Sequence, residues 1–98
     1  MAKKGYWVSA YRSVKDPDKL AAYAKLAVPA TAAFGAKYLA RDTAAHVYEA
    51  GIKARTVIVE FESVEQARAA HDSEAYQAAL KVLDNGAERD FRIVEGVE

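Results

Sequence analysis

Apolar and polar positions alternate in four short runs of the chain, and between those runs apolar residues recur at helical spacing. The first run, residues 6–12, reads as a strand with Tyr6, Val8, Ala10 and Arg12 on one face and Trp7, Ser9 and Tyr11 on the other. Residues 36–41 predict a second strand, with Tyr38 and Ala40 on one side and Leu39 and Arg41 on the other, and with Arg41-Asp42-Thr43 as a turn or bulge. After it, His46 to Glu49 reads as extended chain that Ala50-Gly51 turns back. The run 55–61 is β-branched and aromatic apart from Glu60, as a central strand would be, with Val57, Val59 and Phe61 sharing a face. The last run, 88–94, alternates Phe91 and Ile93 against Arg92 and Val94.

The intervening stretches carry helix punctuation. Asp16-Pro17 supplies an N-cap followed by proline at the first helical position, and Leu20, Tyr23, Ala24 and Ala27 form an apolar stripe. Proline has no N–H for the preceding turn, so Val28-Pro29 predicts a kink or a break, with a second piece from about Pro29 to Phe34 ending at Gly35. Ser63 with Gln66 makes a capping box. The stripe of Val64, Ala67 and Ala70 or His71 follows it, and then Asp72-Ser73 offers a fresh cap. Tyr76, Leu80 and Leu83 make a further stripe that stops at Asn85-Gly86.

The order strand, helix, strand, strand, helix, strand predicts an α+β chain of the ferredoxin-like βαββαβ type, a four-stranded antiparallel sheet with its helices on one face. No linker or internal repeat divides residues 1–98, which are expected to form one unit. Tyr6, Trp7, Tyr11, Ile58, Phe91 and Ile93 are more large groups than one covered face should hold. A twofold homodimer is therefore expected, sheet against sheet, with residues 94–98 near the partner.

Composition narrows the partners. The 98 residues carry a formal net charge of zero, which gives no electrostatic case for nucleic acid or an anionic membrane. The aromatics Tyr6, Trp7 and Tyr11 are then better explained by packing than by base stacking. The absence of cysteine removes disulfides, thiol nucleophiles and thiolate metal sites, and leaves a cytoplasmic setting as the expectation. No apolar run approaches the roughly 20 residues of a membrane span.

Candidate chemistry is sparse. Glu60 interrupts an apolar strand, and a buried carboxylate must find a partner, reach water or take up a proton. It is expected to be buried or nearly so, with Arg41, a tyrosine hydroxyl or His71 in reach. Tyr23, Arg41, His46, Glu60, His71 and Tyr76 are the polar groups that could converge on a cleft between helices and sheet. Two histidines on separate elements make no metal site, and isolated glycines make neither a dinucleotide fingerprint nor a phosphate loop, so no metal or cofactor is expected. Two functions compete: a binding module for a small acidic or aromatic molecule, and a cofactor-independent enzyme with Glu60 or His71 as proton acceptor and Arg41 gripping an anion.

Asp16-Pro17, Phe34-Gly35-Ala36-Lys37-Tyr38-Leu39-Ala40-Arg41, Val47-Tyr48-Glu49-Ala50-Gly51 and above all Val57-Ile58-Val59-Glu60-Phe61-Glu62-Ser63, with Ser73-Glu74-Ala75-Tyr76 downstream, together resemble the domain of unknown function family 1330, within the dimeric α/β-barrel superfamily. The resemblance runs through essentially the whole chain. It departs at Glu62, where the family usually has proline, and at His71, near which it usually has an aromatic. What it implies is a ferredoxin-like protomer and a dimer whose two sheets form a barrel. It implies no reaction, because the wider superfamily includes monooxygenases, isomerases, haem-degrading enzymes and stress-response proteins.

Overall fold

The computed structural model describes residues 3–98. Four strands, β1 (Gly5–Val14), β2 (Lys37–Thr43), β3 (Arg55–Phe61) and β4 (Ala87–Glu95), form one antiparallel sheet in the order β2-β3-β1-β4. Helices α1 (Pro17–Ala32), α2 (Val64–Asp72) and α3 (Glu74–Leu83) lie on one face of it, with α1 packed beside α3. This is the ferredoxin-like α+β arrangement.

Local chemistry sets the helix ends. The Asp16 carboxylate accepts from the backbone N–H groups of Asp18 and Lys19 at 3.1 and 3.2 Å, opening α1. The Ser63 hydroxyl accepts from Gln66 N–H at 3.0 Å, opening α2. The Gln66 side chain does not complete a capping box; it donates instead to the Phe34 carbonyl and ties α2 to the end of α1. Ser73 closes α2 and caps α3, accepting from Tyr76 N–H while its hydroxyl donates to Ala70, so α2 and α3 are separate helices. Pro29 does not break α1, which runs through to Ala32. The turn after it closes with Gly35 at φ 78, a left-handed conformation that glycine adopts without steric cost.

The inner helix faces are lined by alanine: Ala27 and Ala30 on α1, Ala67 and Ala70 on α2, Ala79 on α3. Such small residues let the helices settle close to the sheet, and the sheet fills the space with Trp7, Tyr11, Val57, Val59 and Phe61. Gly5 is part of the same fit, since a Cβ there would lie 2.5 Å from the Ser63 carbonyl oxygen.

Three expectations are corrected here. Strand alternation sends Trp7, Tyr11, Phe91 and Ile93 to the helix-covered face, leaving only Tyr6 and Ile58 of the six large groups on the open face, where Val8, Ala10 and Val94 join them. A bulge at Leu39 shifts the register of β2 so that Tyr38 opposes Val59 and Arg41 opposes Val57. Tyr38 and Arg41 therefore share the helix face, instead of Tyr38 pairing with Ala40. Finally, β2 extends through Thr43, and residues 44–54 return to β3 without forming a strand.

Candidate functional site

The register places chemistry in rows across the helix face. Arg41, Val57, Ser9 and Phe91 make one row over the four strands, and Tyr11 pairs with Arg89 in the next. Arg55 opens β3 beside that second row, its guanidinium 5.9 Å from the centre of the Tyr11 ring. Above them α1 contributes Leu20, Tyr23, Ala24, Ala27 and Val28, and between the two layers lies a narrow, partly open cleft of about 40 Å³. That is room for roughly three water-sized groups.

Arg41, Arg55 and Arg89 all line this cleft, and none of the chain's 14 acidic residues does. None of the three forms a salt bridge among the described residues. Arg89 stacks over Tyr11, Tyr23 and Phe91 at 5.6, 5.1 and 5.2 Å and donates to the Tyr23 and Tyr76 hydroxyls at 3.1 and 3.5 Å. Burial works against its charge, but the phenols of Tyr23, Tyr76 and Tyr11 outweigh burial and hold its pKa above the ordinary value. Tyr23 is raised too, by burial first and then by Tyr76 at 2.6 Å, with Arg89 opposing, so the phenol stays protonated. Arg41 lies 5.0 Å over the Tyr38 ring at the exposed side of the cleft. The Arg55 Nε and the Ser9 Oγ are buried with no hydrogen-bond partner.

Of the residues singled out from sequence, Tyr23 and Arg41 line the cleft and Tyr76 stands directly behind Tyr23. Glu60 does not join them. It is half-buried rather than buried or nearly so, and the tyrosine hydroxyl that donates to it at 3.2 Å belongs to Tyr6 on the open face. Glu60 opposes Tyr6 and Lys37, whereas Arg41 faces the helices, so the Glu60–Arg41 pair does not form. His46 is exposed in the 44–54 segment. His71 lies 3.1 Å from the Asp72 carboxylate and packs against Tyr76 and Phe91 at 5.3 and 5.4 Å, outside the cleft lining. The cleft thus lacks the proton acceptor that either Glu60 or His71 was to supply. Arg55, Arg89, Ser9, Tyr11 and Tyr38 were not anticipated. The signal for two of them was present, because Arg55 shares the parity of Val57 and Val59, and Arg89 that of Phe91 and Ile93.

A larger hollow of about 400 Å³ lies by Arg12, Ile52, Thr56 and Asp90, but it sets a cation beside an anion and contains no unpartnered buried polar atom. No three His, Asp or Glu side chains gather as metal ligands, and no helix is long and apolar enough to cross a membrane, among the described residues.

Residues 4–97 match the family described as Domain of unknown function (DUF1330). The chain belongs to this family. Among curated proteins none matches it in sequence. Solved structures extend the DUF1330 fold to distant chains. A protein of unknown function from Rhodopseudomonas palustris superposes with a TM-score of 0.78 at 13% identity, covering 100% of this chain and 85% of that one. A dimeric ferredoxin-like protein of unknown function from Thermobifida fusca gives 0.66 at 16% identity, covering 98% and 93%. SnoaB, a cofactor-independent oxygenase from Streptomyces nogalater, gives 0.61 at 9% identity, covering 99% and 96%. At these identities the likeness carries the fold of this DUF1330 chain and nothing of its chemistry.

Proposed function

We propose that this protein binds a small organic anion in the cleft between α1 and the sheet. One observation carries the reading: three arginines line one narrow, partly open and largely apolar cleft, and no carboxylate lines it. A guanidinium is a fixed fork of donors suited to carboxylate, and the low-dielectric walls of Val57, Val59, Phe91, Leu20 and Val28 strengthen its pull. Because the chain as a whole is neutral, this local charge selects for anions without coating the surface in positive potential.

Calorimetric titration with a simple carboxylate such as isovalerate should show saturable one-site binding. Arg41→Met should weaken it by about tenfold or more, the loss of one charge-assisted hydrogen bond. The lining offers only Arg, Tyr and Ser as polar side chains. Affinity should therefore be flat between about pH 6 and 9, because neither a carboxylate nor an imidazole lines the cleft. Absence of binding, or equal response to an organic cation, would remove this reading.

The reading includes a homodimer. The open face presents half-exposed Tyr6, Val8, Ala10 and Ile58, and four of its charges are paired, Lys4 with Glu62 and Arg92 with Asp90 at 2.9 Å each. Such an apolar, locally neutral surface favours a second copy, and the similar Thermobifida fusca protein is dimeric. Sedimentation at micromolar concentration should report about twice the 10.7 kDa chain mass.

A further inference from the structure

Building on the anion-binding reading, we infer that the cleft is built for a short α-keto carboxylate with an apolar side chain, and that Ser9, Arg55 and Tyr23 select it through its second oxygen. The argument counts hydrogens. Each phenol has one, and the Tyr23 and Tyr76 oxygens lie 2.6 Å apart, so one hydrogen bridges them. Tyr76 is fully buried, and its oxygen has no neighbours besides Tyr23 and the donor Arg89. Were Tyr23 the donor, the Tyr76 hydrogen would be left without an acceptor inside the core, which costs a full desolvation penalty. Tyr76 therefore donates to Tyr23, and the Tyr23 hydrogen is left for the cleft that Tyr23 lines.

Tyr38 shows the opposite case. Thr31 spends its own hydrogen on the Ala27 or Val28 carbonyl, so it must accept from Tyr38, whose hydroxyl is thereby used up. The free donors that remain are Tyr23 O–H from the helix side, and Ser9 O–H, Arg55 Nε–H and Tyr11 O–H from the sheet side, with Ser9 and Tyr23 4% and 8% exposed. Arg41 adds its guanidinium at the exposed side.

A plain carboxylate presents its acceptors at one end only. Donors on both layers, with no carboxylate among the lining residues, match a ligand that carries a further oxygen acceptor beside its carboxylate. An ammonium group there would meet guanidiniums and no carboxylate, and a hydroxyl would have to place its hydrogen on a Ser9 or tyrosine oxygen, whereas a carbonyl accepts without placing one. The narrow part of the cleft takes a carboxylate, its open side leaves room for the adjoining oxygen, and Leu20, Ala24 and Val28 offer an apolar wall for the remainder.

The test is calorimetry with a matched set: α-ketoisovalerate, isovalerate, α-hydroxyisovalerate and valine. The keto acid should bind about tenfold tighter than isovalerate, the worth of one to two hydrogen bonds, and valine should not bind. Ser9→Ala and Tyr23→Phe should each lower keto-acid affinity by a larger factor than isovalerate affinity, bringing the two closer together, with thermal unfolding confirming that each variant folds. Equal affinities for the two acids in the parent protein, or a keto preference that survives both substitutions, would overturn the inference while leaving the anion cleft intact. If neither acid binds, the cleft reading fails and the inference falls with it.

Discussion

Replacing Arg55 by Met is expected to raise the stability of the ligand-free protein and to abolish anion binding. The Arg55 Nε–H is buried without an acceptor, and no carboxylate lies within salt-bridge distance of the side chain. An orphaned buried donor costs about 1–3 kcal/mol, more when the group is charged. Against this stands the stacking of the guanidinium on Tyr11, about 0.5–1 kcal/mol for a partly exposed pair. Methionine keeps the unbranched length and apolar stem without either polar obligation, so the balance is a gain of about 0–2.5 kcal/mol. Urea unfolding of parent and variant reads the gain directly, and calorimetry with a carboxylate reads the loss of binding. A structural arginine behaves the other way, and Arg89 is the internal control. Its guanidinium is satisfied by two phenols and three ring faces, so Arg89→Met should destabilise. If Arg55→Met destabilises to the same degree, Arg55 belongs to the scaffold and not to the site.

The same contrast explains how much of the molecule could be read from its residues. Elements whose signals are local were legible: the Asp16-Pro17 start, the Ser63 and Ser73 caps, and the alternation of Val57, Val59 and Phe61 that marks the central strand. The tertiary face of a residue was legible only where its neighbours in the strand are regular. Leu39 defeats alternation, because a bulge inserts one residue with no distinctive side chain and flips every position after it, carrying Arg41 to the helix face. Pro29 was misleading in the other direction. Its missing N–H forfeits one hydrogen bond, which packing of Ala27 and Ala30 against the core outweighs. The site was half visible. Glu60, the charged residue that interrupts an apolar strand, has the open-face parity, whereas Arg55 and Arg89, with the covered-face parity, line the cleft.

Trp7→Ala should bring the protein close to the edge of folding. Trp7 is 3% exposed, and its ring centre lies 5.0 Å from Phe61, 4.9 Å from Tyr76 and 5.1 Å from Phe91. Its indole N–H donates to the Ala67 carbonyl at 2.9 Å, so one side chain on β1 joins β3, β4, α2 and α3. Truncation removes the transfer free energy of the indole and leaves a cavity whose walls are stiff aromatics. Together these cost about 3–5 kcal/mol, a large share of the roughly 5–15 kcal/mol that holds a domain of this size together. Trp7→Phe separates the contributions, since it keeps most of the apolar area and drops only the Ala67 hydrogen bond, for about 1 kcal/mol plus a smaller void. Trp7 is the only tryptophan, so the variants must be followed by circular dichroism and not by emission. Trp7 also lines the cleft, so ligand should be lost in Trp7→Ala even at temperatures where helix content persists. A Trp7→Ala protein that unfolds within about 1 kcal/mol of the parent would show that the aromatic cluster is not the core of the fold.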